Sequence, residues 1–227
     1  MTMRVLAIDT ALANCAAAVL DDGADTPCLA EVSAEIGRGH AERLMDMIGD
    51  VMAESSTAFT DLDRVVVTTG PGSFTGMRVG LSVARGFGLV LSKPVVGVTT
   101  LAAIARSIPV ETGGAPVLVA LDGKGDEVYC QDFGPDLEPM SEPCVRTIQE
   151  LADTLDRSVR LIGSAARRIA LAAGRPEDDI LSDMAYPQIS DVARLGLVTD
   201  PKTSAAVPLY LRPPDATPQK KGRIERQ

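Results

Sequence analysis

In "RVLAIDTALANCAAAVL" (residues 4–20) two apolar runs of strand length, 4–9 and 15–20, flank a polar turn that contains Asn14. Apolar runs of this length around turn residues predict a hairpin. The first strand ends on an aspartate, Asp9. The same shape returns at "VLVALD" (117–122), which ends on Asp122 and is followed by a turn, "GKGD", and by "EVYCQDF" (127–133). A third strand, "CLAEVSAEI", follows the first pair. Two such openings predict two halves of one duplicated βββαβα plan in an α/β protein. Strand, turn and strand also recur without duplication, so the pattern alone leaves both readings open.

The segments between these strands take the helical period. "HAERLMDMIGDVMAES" places Ala41, Leu44, Met45, Ile48, Val51 and Met52 on one face, with an apolar arc that reaches Met47. "RVVVTTG" and "PVVGVTT" read as buried strands, with a helix over 75–91 between them and another at "LAAIARSI". After the Gly/Pro-rich link at 109–116, "TIQELADTLD" opens with the capping box of Thr147 and Glu150. "VRLIGS" is a strand, "AARRIALAAG" a helix ending at Gly174, and "SDVARLGLVTD" a helix capped by Ser190. The stretch "AAVPLYLRPPDATPQ" reads as extended, since its prolines restrict the chain.

Composition narrows the function. With 227 residues, 45% hydrophobic and 23% charged, the chain is an ordinary globular one. The apolar run behind Arg4 is too short for a signal core or a membrane span, and no C-x-x-C pair occurs among Cys15, Cys28, Cys130 and Cys144. A cytoplasmic protein with reduced thiols and no membrane contact is expected. Acidic residues outnumber basic ones 31 to 22, a field that repels nucleic acid. The basic end, with Lys220, Lys221, Arg223 and Arg226, reads as a solvated tail.

"GPGSFTGMRVGLSVARGFG" (70–88) has the look of a phosphate loop. A Walker loop needs Lys and then Ser or Thr after its last glycine, and here Met77 and Arg78 follow Gly76. The spacing of Gly70, Gly72 and Gly76 also misses G-x-G-x-x-G by one residue. Instead Gly76, Gly80, Ala84 and Gly88 recur every four residues as a smooth row along a helix, where another backbone fits closely. Only Arg78, Ser82 and Arg85 make a polar strip on this helix. Such a helix is either buried inside its own domain, the reading it favours when taken alone, or shared with a partner; the wide arc of the helix at 40–54 shifts the reading towards a docking face for another protein.

Candidate catalytic groups are sparse. The single histidine, His40, excludes a two-histidine zinc site and reads as a surface or capping residue. No G-x-S-x-G elbow occurs. Asp9, Thr10 and Asp122 are candidates for a vestigial nucleotide site, because strand-end carboxylates hold magnesium in phosphoryl-transfer folds. That second reading makes the chain a nucleotide-using, ATPase- or kinase-like enzyme.

The motifs "VLAIDTA", "HAERLMDMI", "GPGSFTGMRVGLSVARG", "VVGVTTL", "DGKGDEVY" and "PLYLRPPDA" cover nearly the whole chain, and in them the sequence resembles the TsaB family, also called YeaZ. The resemblance implies an actin-like, Hsp70-like (ASKHA, ribonuclease H-like) duplicated fold of two subdomains. The first, 1–104, carries the docking helices, the second spans 105–216, and a mobile basic tail follows at 217–227. It also implies a non-catalytic partner, without catalytic or metal-binding residues, of TsaD and the ATPase TsaE. That complex transfers a threonylcarbamoyl group from threonylcarbamoyl-AMP to the adenosine beside the anticodon of tRNAs reading codons that begin with A. In it ATP and a metal belong to the partner subunits and tRNA is met only through the complex. TsaD carries H-x-x-x-H where this chain has His40 and Leu44. The interface implied is His40, Leu44, Met47, Ile48, Val51, Gly76, Arg78, Gly80, Ala84 and Gly88, used for a homodimer when the chain is alone. An old glycoprotease label on the superfamily adds a peptidase reading, against which the single histidine stands.

Overall fold

In a computed structural model that describes residues 2–109 and 114–213, the chain forms two five-stranded sheets. The first comprises β1 (Arg4–Asp9), β2 (Asn14–Asp21), β3 (Cys28–Glu35), β4 (Arg64–Thr68) and β5 (Val95–Val98), in the order β3-β2-β1-β4-β5. The second comprises β6 (Val117–Asp122), β7 (Glu127–Phe133), β8 (Cys144–Thr147), β9 (Arg160–Ile162) and β10 (Ile180–Ser182), in the order β8-β7-β6-β9-β10. The two orders correspond strand for strand. In each sheet the first three strands are antiparallel neighbours and the last two run parallel to the first.

Among the described residues six α-helices complete the halves: α1 (His40–Glu54), α2 (Phe74–Leu91) and α3 (Thr100–Ala105) in the first, α4 (Ile148–Thr154), α5 (Ala166–Ala172) and α6 (Ile189–Val198) in the second. Each half is therefore βββαβαβα, one strand and one helix longer than the expected repeat. The duplication left open by the sequence is present. A matching detail is the turn between fourth strand and second helix, where Gly70 (φ +101°) and Gly163 (φ +103°) both occupy backbone that side chains rarely adopt.

Alternation along the strands sorts the core into layers. Leu6, Ile8, Val65 and Val67 face α1 and α2, while Val5, Ala7 and Val66 face the other side, where Ile189, Val192 and Ala193 of α6 pack. In the second sheet Leu118, Ala120 and Leu161 lie under α4 and α5, and Val117, Val119 and Leu121 meet Leu101 and Ile104 of α3. The last helix of each half thus packs on the sheet of the other. The boundary expected at 104/105 cuts α3, and contiguous subdomains do not describe the packing. Gly196 permits the close approach of α6, since a Cβ there would overlap Val66. Arg64, buried at the start of β4, holds the exchange. Its Nη1 lies 2.6, 3.2 and 2.9 Å from the carbonyls of Gly196, Leu197 and Thr199 at the C-terminus of α6.

Other local expectations need correction. Ser190 lies inside α6, whose N-cap is Gln188 with no side-chain hydrogen bond. β8 and β10 are short strands that the sequence did not announce, being four and three residues with little alternation. The capping box of Thr147 and Glu150 forms as expected, with Thr147 N donating to Glu150 over 2.7 Å. The expected tail at 217–227 lies outside the described residues.

Candidate docking face and the strand-end aspartates

Helix α2 starts where Ser73 accepts a hydrogen bond from Gly76 N and stops where Ser92 turns into left-handed backbone. Its row of small residues faces inward. A Cβ at Gly76 would overlap the Thr10 carbonyl, one at Gly72 the Ala11 carbonyl, and one at Gly88 the Val95 side chain. Thr10, at the end of β1, donates its hydroxyl to Gly76 O (2.7 Å) and accepts from Gly80 N (3.1 Å). The smooth row does admit a protein backbone, but it is the chain's own.

The expected interface is corrected accordingly. Leu44, Met47, Ile48, Val51, Gly76, Gly80 and Ala84 are buried in the chain's own core, and Gly88 is half-buried against β5. Met47 completes that core rather than widening a surface, while Ala41 and Met45, read on the same apolar face as Leu44, are exposed. His40 is buried, and its Nε2 sits 3.0 Å from Leu12 O and 3.2 Å from Asn14 O, which pins α1 to the β1–β2 turn. Of the ten residues only Arg78 is fully on the surface.

The exposed side of α2 is the one the sequence read as its polar strip. Phe74, Thr75, Arg78, Ser82, Gly86, Leu89 and Val90 face outward, Leu89 and Val90 at 82% and 80% exposure. Between α1 and α2 runs an open groove of about 440 Å³, lined by Ala41, Thr75, Arg78, Val79, Ser82 and Val83. Arg78 is braced in place. Its guanidinium stands 3.7 Å from the centre of the Phe74 ring, and Nε donates to the Tyr210 hydroxyl over 2.9 Å. Phe59 and Phe87 stack at 5.1 Å nearby. A helical wheel read from Leu89 rather than from the glycines marks this face.

The three residues expected around a nucleotide do not form one site. Asp9 is fully buried, and its Oδ1 accepts from the Thr68 hydroxyl (2.6 Å) and from Ala11 N (2.9 Å). Its Oδ2 is buried without a partner. Burial pushes this carboxyl above its ordinary range, against the Thr68 and Ala11 hydrogen bonds and nearby His40. Thr10 is spent on α2. Asp122 is 41% exposed and paired with Arg168, Nη1 to Oδ1 at 2.7 Å. An actin-like fold would hold nucleotide and magnesium at these strand ends. The residues here do not fit them, because the glycine turn is filled by Thr10 and Ala11 and the exposed carboxylate already has its cation. Among the described residues no group of three or more His, Cys, Asp or Glu is placed to hold a metal ion. No helix among them is long and apolar enough to cross a membrane.

Two βββαβαβα halves with exchanged last helices define a duplicated α/β protein of the actin-like (ASKHA) type. Solved structures agree: YeaZ from Pseudomonas aeruginosa superposes with a TM-score of 0.74 at 25% identity, over 92% of this chain and 100% of that one. The family model described as "TsaD: tRNA N6-adenosine threonylcarbamoyltransferase" matches residues 29–205, and the chain belongs to that family, on its TsaB (YeaZ) branch. The tRNA threonylcarbamoyladenosine biosynthesis protein TsaB of Escherichia coli is 36% identical over 137 residues, 59% of this chain. The chain spans 56% of that relative's length. An uncharacterized protein of Mycobacterium tuberculosis is 34% identical over 94% of both chains.

Proposed function

We propose that this chain is a non-catalytic subunit in threonylcarbamoyladenosine biosynthesis, pairing with TsaD and, through that pair, with TsaE. The single observation that carries this reading is the outer face of α2 and its groove against α1. It leaves Leu89 and Val90 in water while Arg78 is held ready over the Phe74 ring by its bond to the Tyr210 hydroxyl. Large uncovered apolar residues beside an ordered arginine are what a protein partner covers. The TsaB name of the Escherichia coli relative supports the pathway.

The likeness to TsaD supports the lack of catalysis. Where that enzyme has two histidines, this chain has His40, whose Nε2 is engaged by two carbonyls, and Leu44, which is core. ATP and metal belong to the partners, tRNA is reached only through the complex, and the same face closes a homodimer when TsaD is absent. All of this takes place in the cytoplasm.

Leu89→Asp changes a side chain that holds nothing inside the fold, so circular dichroism should stay as in the native chain while co-elution with TsaD is lost. Retained co-elution overturns the docking face. Depleting the protein should lower threonylcarbamoyladenosine in bulk tRNA, read by mass spectrometry, and an unchanged level overturns the pathway. Incubating the purified chain alone with threonylcarbamoyl-AMP and tRNA should yield no modified base; product would overturn the scaffold role.

A further inference from the structure

Cys130 and Cys144 stand directly opposite each other in the antiparallel pair of β7 and β8, with their sulfurs 3.7 Å apart. We propose that they form an oxidisable dithiol, a modification site that small disulfides such as oxidised glutathione close into a cross-strand bond. Residues facing each other across an antiparallel ladder have Cα atoms about 4.5 to 5.5 Å apart. A disulfide spans Cα separations of about 4.4 to 6.8 Å, so the backbone is already placed and only the side chains must turn.

The other two thiols have no such mate. Cys15 faces Ala34 and Cys28 faces Leu20 in the first sheet. Burial raises both thiols to about 11, which leaves little thiolate near neutrality.

The pair divides the chemistry by exposure. Cys144 is half-exposed on β8, the edge strand of its sheet, and Cys130 is buried beneath it. The Cys144 thiolate attacks one sulfur of oxidised glutathione, whose S–S bond breaks and releases one glutathione thiolate. Cys130 then loses its proton and attacks the Cys144 sulfur, expelling the second glutathione. Two protein thiols give up two electrons and two protons, and one external disulfide becomes two thiols. Burial pushes the Cys130 thiol up, so closure quickens with rising pH.

The bond would fasten the loop between the two strands. Through Glu138, Pro139, Ser141 and Glu142 this loop lines a cavity of about 490 Å³ whose opposite side includes Gly97 and Leu195. Glu138 also meets Arg106, just beyond α3. Oxidation therefore acts on the junction where the halves exchange helices, away from the α1–α2 face.

The full chain is incubated with mixtures of reduced and oxidised glutathione, quenched with acid, alkylated and mapped. Trypsin leaves both cysteines in one peptide, 125–146, which should lose two hydrogens. Asp-N cleavage before Asp132 and Asp136 should leave its pieces joined until a reductant is added. Cys130→Ala should trap a stable glutathione adduct on Cys144, and Cys144→Ala should leave Cys130 free. The proposal is overturned if the native chain accumulates the Cys144 adduct without the internal bond. Modification of Cys15 or Cys28 ahead of the pair overturns it equally.

Discussion

Asp9 and Asp122 close the first strands of two sheets with the same order, yet they live in different media. Over Asp9 lies the first turn of an eighteen-residue helix, with Thr10 bonded into its glycine row. The corresponding helix beside Asp122 has seven residues and turns Arg168 outward to pair with it. Duplication therefore preserves topology without preserving the site. A carboxylate at a strand end becomes an interior hydrogen-bond acceptor or a wet ion pair according to how closely the next helix can approach. Glycine decides that approach in the first half.

The sharpest break of this contrast is Gly76→Ala. The added methyl would overlap backbone at Thr10, which cannot swing aside, and a loss of about 3 kcal/mol is expected in urea unfolding. Gly86→Ala, on the same helix in open space, is the control and should gain about 1 kcal/mol. Equal effects would show that the row is not what seats β1. Next is Arg64→Ala, which strips three carbonyls of α6 of their cationic donor. A loss of about 2 to 3 kcal/mol is expected, with the protection of α6 amides against hydrogen exchange falling first.

Asp9→Asn sharpens the contrast by pH. Burial raises the folded-state pKa of Asp9 above the unfolded one, so the native protein binds the proton more tightly. Its contribution to stability is fully present below the ordinary carboxylate range and is lost as pH rises through the folded value. The variant does not titrate there, so its stability relative to the native chain should improve from acid towards neutral pH. A constant difference across that range would mean that Asp9 is charged and compensated. The smallest effect belongs to the other half: Asp122→Ala removes an exposed pair and should cost under about 1 kcal/mol, vanishing in high salt.

Much of the architecture was legible in residues 4–20 and 117–133, because strands covered on both faces write continuous apolar runs of strand length between turn residues. The capping box of Thr147 and Glu150 was legible for the same kind of reason, being a contact between near neighbours. The site was less so. The row Gly76, Gly80, Ala84 and Gly88 shows that some backbone comes close, but a helix presents the same smooth stripe to its own sheet and to a stranger. His40 read as a surface residue because nothing local says that two carbonyls from the β1–β2 turn arrive beside it.

Sequence by itself determined most of the elements and the family and pointed to the repeat, since these follow from apolar runs, local periodicity and motifs that stand in order along the chain. Tertiary structure alone decided which face of α2 meets water, that the last helices exchange sheets, and that Asp9 is sealed while Asp122 is paired. Those outcomes depend on distances between residues far apart in the chain, such as Thr10 and Gly76 or Arg64 and Gly196, and no local pattern carries them.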